Sequence, residues 1–402
     1  MNAVRVVDAR MGRGKSTAAI RYINRNKRSA RFLYVTPYLK EVARVRDECG
    51  LEEPVEDEGM TKLSQLRSFI REGKSVSTTH SLYELMDDEM LDMVRDKRYT
   101  LIIDEAVSAI DKAPITAPDR KILETLTTVA DDGLITWNDQ EYTGKFTGYK
   151  DMADRHTLYR IESTLINTFN TGLITSFEEV FQLTYLFEGS ALEAYLNCFG
   201  IPYEIWGITD EDGGSDFRKG VDVPPPIDLR PMIHIVDKKS LNDVGNPYHA
   251  LAKSWYERHS YHDPEMIQLR KNMQNFFKNI TKSRADNRIW TCFKDHAQKL
   301  VPDNGSYSQN FLQMMARATN DYSSCTNLAY MVNRFEDPNL MKFLADRGCT
   351  IDQDRTALSD LIQWVWRGAI RNGKDINLYI PSRRMRSLLK DWLDKTAEGG
   401  AP

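Results

Sequence analysis

Asp8-Ala9-Arg10-Met11-Gly12-Arg13-Gly14-Lys15-Ser16-Thr17 is the stretch that decides the fold of this chain. A short apolar run precedes it, typical of a buried strand, and a helical pattern follows it. Glycines between a strand and a helix let successive backbone N–H groups point into one hollow, where the helix N-terminus adds positive potential. There Lys15 would reach the β- and γ-phosphates of a nucleotide, and the Ser16 hydroxyl would ligate Mg²⁺. The stretch predicts a phosphate-binding loop; a glycine-rich turn that binds nothing is the alternative.

The composition is that of an ordinary globular protein of 402 residues, which suggests two or three domains. A formal net charge of −4 argues against a basic coat, although a local groove on such a body can still be positive. No apolar run is long enough to span a bilayer, and the start of the chain leaves no room for a signal peptide. Five scattered cysteines fit a reducing compartment. We therefore expect a cytoplasmic protein without membrane contact.

A second candidate feature is a pair of acids that ends an apolar run. Residues 99–103 read as a buried strand, and Asp104 and Glu105 follow at once. Downstream of a phosphate loop, the first carboxylate would hold the magnesium shell, and the second would orient and deprotonate the attacking water. The alternative is a helix start, where an Asp cap and a first-turn Glu are both favoured.

Strand and helix patterns alternate along the first half of the chain, which indicates a parallel sheet with ligands at the carboxyl ends of its strands. A β-hairpin insert is expected near residues 133–146. The three prolines at 224–226 cannot lie in a helix or a central strand and predict a stiff linker. We therefore place one domain at 1–222 and a second at 227–402, where the alternation is looser.

The second half carries one further constellation with chemical meaning. Residues 356–371 have helical spacing, and Gln363, Arg367 and Arg371 are four residues apart, so they are expected on one face. Arginine is always charged and binds phosphate oxygens with two parallel hydrogen bonds. The alternative is a polar helix face exposed to water.

Several of these motifs resemble those of superfamily two helicases, and the resemblance is nearest to helicase-like proteins of tailed bacteriophages. Ala9-x-x-Gly12-x-Gly14-Lys15-Ser16 resembles motif I, in which alanine is common at the first position. Asp104-Glu105-Ala106 is similar to the Asp-Glu-Ala box. Gln363-x-x-Trp366-Arg367 with Arg371 resembles motif VI, except that its arginines are four residues apart instead of three. Weaker matches are 35–37 for motif Ia, 77–80 for the next motif, 183–185 or else 190–191 for motif III, 289–291 for motif IV and 318–321 for motif V.

The resemblance implies an α/β protein with two RecA-like parallel-sheet domains in tandem and ATP bound with Mg²⁺ between them. The implied nucleotide contacts are Gly12, Arg13, Gly14, Lys15, Ser16, Thr17 and Gln363. The implied metal ligands are Ser16 and Asp104. The implied catalytic residues are Lys15, Glu105, Arg367 and Arg371, and which arginine completes the site stays open. The implied nucleic-acid contacts are Thr36, Thr79, Thr291 and Thr319.

The function that these features predict is an ATP-dependent helicase or translocase acting on single- or double-stranded DNA, with RNA as the other candidate track. Phage replication or recombination in the host cytoplasm, and a monomer that works with partners of those processes, are the expected setting. Two alternatives stay open. A phage packaging ATPase should add a nuclease domain with clustered acids, and an ATP-dependent clamp should lack Glu105 or the arginine helix.

Overall fold

A computed structural model describes residues 2–56, 59–211, 214–222, 227–314 and 322–398, except for the side chain of residue 211. Its contacts divide the chain into an N-terminal unit, residues 1–222 with 336–351, and a C-terminal unit, residues 223–335 with 352–402. The chain therefore leaves the N-terminal unit, returns to it for the segment 336–351, and leaves it again.

The strands of the described residues, numbered in chain order, are as follows. They are β1 Val4–Asp8, β2 Arg31–Thr36, β3 Val76–Thr79, β4 Tyr99–Asp104, β5 Ile110–Ala113, β6 Thr127–Val129, β7 Ile135–Trp137, β8 Leu158–Ile161, β9 Thr164–Thr168, β10 Glu179–Thr184, β11 Tyr203–Glu211, β12 Gly214–Lys219, β13 Ile233–Ile235, β14 Arg288–Thr291, β15 Asn327–Tyr330 and β16 Ile376–Tyr379.

The α-helices of the same residues connect these strands. They are α1 Lys15–Asn26, α2 Leu39–Cys49, α3 Lys62–Glu72, α4 His80–Tyr83, α5 Asp88–Asp96, α6 Ala117–Leu126, α7 Thr147–Asp154, α8 Gly172–Thr175, α9 Ala191–Cys198, α10 Lys239–Asn242, α11 Lys253–Arg258, α12 Pro264–Asn275, α13 Pro338–Ala345, α14 Gln353–Val365 and α15 Arg383–Ala397. None of them is long and apolar enough to cross a bilayer.

The N-terminal unit is built on a seven-stranded sheet in the order β12-β11-β1-β10-β4-β2-β3. All neighbours run parallel except the hairpin of β11 and β12. The inner strands are apolar on both faces, because helices cover both sides of a parallel sheet. Val6 and Val7 of β1 therefore belong to two different core clusters. Since the strands run in the same direction, the ends of β1, β2, β4 and β10 share one edge.

A smaller antiparallel region lies between β4 and β10 in the chain. It contains the sheet β5-β9-β8 and the hairpin of β6 and β7, and its own core includes Leu123, Trp137 and Leu165. The hairpin expected near 133–146 is formed differently, because β7 at Ile135–Trp137 pairs with the earlier strand β6 at Thr127–Val129. Residues 138–146 contain no strand. The turn is the Asp-Asp-Gly of residues 131–133, a stronger hairpin signal than the later glycine at 144.

The C-terminal unit contains a four-stranded parallel sheet in the order β13-β16-β15-β14. Its core joins Trp290 and Tyr379 of the sheet to Leu269 and Phe276 of the helical segment before β14. The predicted α/β class with parallel sheets in both halves is confirmed.

The single helix expected over 356–371 is wrong. Helix α14 ends at Val365, and Gly368 adopts an extended conformation before a 3₁₀ turn at Ala369–Asn372. The chain passes close to β15 here, since Ala369 N donates to Cys325 O at 2.9 Å and a Cβ at Gly368 would lie 3.0 Å from a Leu328 methyl group. Arg367 and Arg371 therefore do not share a helix face with Gln363.

Candidate functional site

The glycine-rich loop joins β1 to α1 in a shape that two of its glycines make accessible. Gly12 and Gly14 have φ values of 76° and 87°, a region that side chains disfavour. A Cβ on Gly14 would in addition collide with the hydroxyl of Ser215 on β12. Gly14 directly precedes Lys15, the first residue of α1. The loop thus brings the start of a helix and its free N–H groups to the carboxyl edge of the sheet.

The Lys15 ammonium lies folded into this loop. Its Nζ donates to the backbone oxygen of Ala9 and, at 3.2 Å, to that of Arg10. Burial lowers the pKa of Lys15, and the carboxylates of Asp104 and Asp8 oppose that effect. A cation held by uncharged carbonyls gains from exchanging them for phosphate oxygens, because charge-assisted hydrogen bonds are stronger.

Asp104, at the end of β4, meets the serine of the loop. Its Oδ2 accepts hydrogen bonds from Ser16 Oγ at 2.8 Å and from Tyr34 OH at 2.7 Å. Burial raises the pKa of Asp104, while these two hydroxyl donors lower it. The backbone oxygen of Asp104 accepts from His80 Nε2 at 3.0 Å. A carboxylate and a hydroxyl in contact are the hard oxygen donors that Mg²⁺ prefers.

Glu105 follows in a strained conformation. Its φ of 65° is left-handed, which costs a residue with a side chain about 1–3 kcal/mol and is commonest at functional sites. Its Oε1 accepts a hydrogen bond from Tyr38 OH at 2.5 Å, and its backbone oxygen accepts one from Gln182 Nε2 at 3.1 Å. The backbone conformation therefore sets the direction of the Glu105 side chain, and the Tyr38 hydroxyl holds its carboxylate.

The strand β10 separates β1 from β4 and carries one of the two candidates for motif III. The backbone oxygen of Thr184, its last residue, accepts from Ala9 N at 3.1 Å, so this strand end lies beside the start of the loop. Ser190, the other candidate, caps α9 by accepting from Glu193 N at 3.2 Å. The geometry favours the segment around Thr184.

Arg13, an expected nucleotide contact, is engaged by the β11–β12 hairpin and the residues after it. Its guanidinium contacts Asp210 and donates to Ile208 O at 3.1 Å, and its Nε lies 3.7 Å from the buried carboxylate of Asp222. These bonds tie the tip of the loop to the end of the N-terminal unit. Thr17, expected to contact nucleotide as well, is exposed on the first turn of α1.

The structure thus brings together Lys15, Ser16, Asp104 and Glu105 in the N-terminal unit, along with residues that the sequence reasoning missed. Those missed are Tyr34, Tyr38, Gln182 and Asp222. The sequence does indicate the two tyrosines. Tyr34, Thr36 and Tyr38 occupy alternate positions along β2 and the two residues after it, and alternate positions of an extended chain share a face. No such pattern indicates Gln182 and Asp222, since only the fold places them here.

In the C-terminal unit the three residues expected to meet phosphate have different surroundings. Arg367 is half-buried, and its Nη1 has no hydrogen-bond partner among the described residues. Burial raises the pKa of the neighbouring Asp360, which the charges of Arg334 and Arg367 counteract. Gln363 donates to Ser359 Oγ at 3.1 Å on its own helix, and Arg371 is exposed on the 3₁₀ turn.

Three of the four threonines expected to contact nucleic acid, Thr36, Thr79 and Thr291, lie at strand ends. Thr36 and Thr291 are fully buried, and their hydroxyls have no hydrogen-bond partner within the described ranges. Thr79 caps α4 by accepting from Leu82 N at 3.4 Å. Thr319 lies outside the described residues. Buried hydroxyls do not reach a phosphate without rearrangement, so this assignment stays a prediction.

Comparison with solved structures defines the class of fold. A structure of S. tokodaii Xpd4 matches 97% of this chain and 94% of its own at a TM-score of 0.50 and 10% identity. A structure titled XPD helicase matches 99% of this chain and 95% of its own at a TM-score of 0.49 and 10% identity. At 10% identity the likeness to Xpd4 shows the fold alone, an α/β fold with parallel sheets.

Sequence comparison defines the family within that class. Residues 110–167 match the YonV middle domain, and residues 227–393 match the YonV C-terminal Rossmann-like domain. The SPbeta prophage-derived uncharacterized protein YonV of Bacillus subtilis (strain 168) is 34% identical over an alignment of 413 residues. The alignment covers 98% of this chain and 99% of that protein. The chain belongs to the YonV family. That relative is prophage-derived, in agreement with the predicted bacteriophage connection.

Proposed function

We propose that this protein is a nucleic-acid-dependent ATPase of the superfamily two type, a helicase or translocase that acts on DNA or RNA in phage replication or recombination. The observation that carries the proposal is the 2.8 Å hydrogen bond from Ser16 to Asp104, which puts the first turn of α1, directly after the glycine loop, against a strand-end acid. Two distant segments are combined there in the arrangement that phosphate transfer needs.

The residues present fit a nucleotide bound with Mg²⁺. Ser16 Oγ and Asp104 Oδ2 would hold the metal, which when bound neutralises charge on phosphate oxygens. Lys15 would leave the carbonyls of Ala9 and Arg10 for the β- and γ-phosphates. The free N–H groups at the start of α1 and in the loop would bind the same phosphates.

Glu105 would act as the general base. Its carboxylate would orient the attacking water and accept a proton from it, a role that geometry decides before pKa does. In this proposal the hydrogen bond from Tyr38 to Oε1 fixes the direction of the carboxylate. Tyr38 and Tyr34 are positioning residues, since each acts through a neighbouring carboxylate.

The C-terminal unit would contribute Arg367 or Arg371, with Gln363, to the γ-phosphate. An arginine that stabilises transferring phosphate contributes about 10³–10⁵ in rate. The buried Nη1 of Arg367 lacks a hydrogen-bond partner among the described residues, and a buried donor of that kind is costly unless a ligand satisfies it. This favours Arg367. We propose Thr36, Thr79, Thr291 and Thr319 as contacts to nucleic-acid backbone, and a monomer in the host cytoplasm as the working form.

ATP turnover measured with and without single-stranded DNA, duplex DNA and RNA tests the proposal. Lys15→Ala should abolish nucleotide binding, whereas Glu105→Gln should still bind nucleotide and lose about 10²–10⁴ of its turnover. Lys121→Ala and Glu141→Gln are matched controls, because both side chains are exposed and lie outside this site. Unchanged turnover in Lys15→Ala and Glu105→Gln would refute the ATPase.

A further inference from the structure

Three aromatic side chains, two of them exposed and Phe335 partly buried, form a cluster in the C-terminal unit that we name the aromatic platform. It consists of Tyr248, His249 and Phe335. The ring centroids are 4.9 Å apart for Tyr248 and His249, 5.5 Å for Tyr248 and Phe335, and 5.2 Å for His249 and Phe335. Tyr248 is 61% exposed and His249 is exposed as well. Contiguous exposed rings of this kind mark a binding surface more often than a single exposed apolar residue does.

The loop that carries Tyr248 and His249 is held in place by the side chain of a buried asparagine. Asn333 is 1% exposed, and its Nδ2 donates to the backbone oxygens of Tyr248 at 2.7 Å and Ala250 at 2.9 Å. Its backbone N donates to Leu251 O at 3.0 Å. Leu251 has a φ of 63°, which a leucine rarely adopts and keeps only where its surroundings impose it. The rings are therefore held ready before any ligand arrives.

A buried arginine supports the same rings. The guanidinium carbon of Arg384 lies 4.3 Å from the centroid of the Phe335 ring. Its Nη1 donates to Asn333 Oδ1 at 3.2 Å and to Arg334 O at 2.6 Å, and its Nε donates to Asp354 Oδ1 at 2.7 Å. One side chain thus fixes both Phe335 and the asparagine under the loop. A cation over the face of an aromatic ring is attracted to that ring, so this contact helps to hold Phe335 in place.

The platform lies where parallel α/β sheets bind their ligands. Asn333 and Phe335 follow the carboxyl end of β15, and Arg384 lies in the first turn of α15, just after β16. Ligands of open parallel sheets bind at this edge. Two exposed cations lie on neighbouring segments: Lys253 is four residues after His249, and Arg383 directly precedes Arg384. Aromatic rings together with cations are the composition of single-strand binding surfaces.

We propose that the aromatic platform stacks an unpaired base of single-stranded nucleic acid, with Tyr248 as the principal contact. The inference rests on the proposed function. It adds a contact to the base of the nucleic acid, whereas the proposed threonine contacts are to the backbone. In a duplex the faces of the bases are covered by their neighbours, so only unpaired nucleotides offer a face to Tyr248. Stacking of this type tolerates any base, because every base has a π-face.

The test uses the full chain and two fluorescent probes at one salt concentration, oligothymidylate and an abasic oligonucleotide of the same length. Tyr248→Ala should bind oligothymidylate roughly 5- to 100-fold more weakly than the wild type and should bind the abasic strand equally well. Tyr248→Phe keeps the ring and should bind like the wild type. Ile122→Ala removes another exposed apolar side chain, 50% exposed in the N-terminal unit, and should change neither affinity.

The outcomes separate the two proposals. Equal oligothymidylate affinity of Tyr248→Ala and wild type, or an equal loss on both probes, would overturn base stacking while leaving the ATPase intact. A loss in Tyr248→Phe as large as in Tyr248→Ala would also overturn it, since the ring would then not be the binding element. A wild type that binds neither probe but hydrolyses ATP would refute the platform and the nucleic-acid track together. Thermal unfolding of each variant verifies that the fold is kept.

Discussion

The carboxyl edges of the two parallel sheets differ in the side chains that they present. In the N-terminal unit, Ser16, Tyr34 and Tyr38 donate to the strand-end acids at 2.5–2.8 Å. In the C-terminal unit, Asn333 holds the loop of Tyr248, and the Tyr248 side chain is 61% exposed. One edge holds two acids through hydroxyl donors of the same unit, while the other exposes an aromatic ring. The residues of the proposed chemistry and those of the proposed base contact thus differ in kind.

The largest expected effect comes from the two arginines of the C-terminal unit. Arg367→Ala should reduce ATP turnover by about 10³–10⁵ if it stabilises the transferring phosphate. Arg371→Ala should have a much smaller effect, because its side chain is exposed on a 3₁₀ turn. Steady-state turnover at saturating ATP, with single-stranded DNA present, measures both. The reverse order would assign the role to Arg371.

A smaller effect is expected from the phenol that holds the general base. Tyr38→Phe removes a hydrogen bond to a charged group, which is worth about 1.5–3 kcal/mol, so kcat should fall roughly 10- to 100-fold. KM for ATP should stay constant, because Tyr38 acts through Glu105 and does not bind nucleotide in this proposal. A fall in kcat with constant KM separates positioning from loss of structure.

The chain offers a matched control for this prediction. Tyr22 donates to Glu179 Oε2 at 2.8 Å in the same unit, so Tyr22→Phe removes a tyrosine–glutamate bond that lies outside the site. Its turnover should equal that of the wild type. A similar loss of kcat in both variants would mean that general destabilisation, not the position of Glu105, explains the effect.

The smallest expected effect concerns stability. A Cβ at Gly368 would lie 3.0 Å from a Leu328 methyl group and 3.2 Å from Cys325 O, so Gly368→Ala should lower the free energy of unfolding by about 1–3 kcal/mol. Urea unfolding measures this change. Gly148→Ala is the control, since no heavy atom lies within 4 Å of a Cβ built there. If the two variants were equally stable, the close approach of the chain to β15 would not be what ends α14.

Much of the fold could be predicted because its signals are local. A few neighbouring residues are enough to recognise each of three features: the apolar run before the loop, the turn with glycines at 12 and 14, and the strand that ends at the acids after residue 103. The hairpin expected near 133–146 begins earlier, because β7 pairs with β6 at Thr127–Val129. The end of α14 was missed because the pattern of apolar residues continues through Trp366, Ala369 and Ile370, although the helix does not.

Short segments of the sequence are enough to predict a glycine-rich loop after the first strand, two acids at the end of a buried strand and an α/β fold, since glycine torsions and strand periodicity are local properties. Tertiary contacts are needed to show that Tyr38 holds Glu105, that residues 336–351 return to the N-terminal unit and that Asn333 fixes the loop of Tyr248. Those contacts join residues far apart in the chain. They depend on how the strands are ordered and how the helices cover them, which no local pattern encodes.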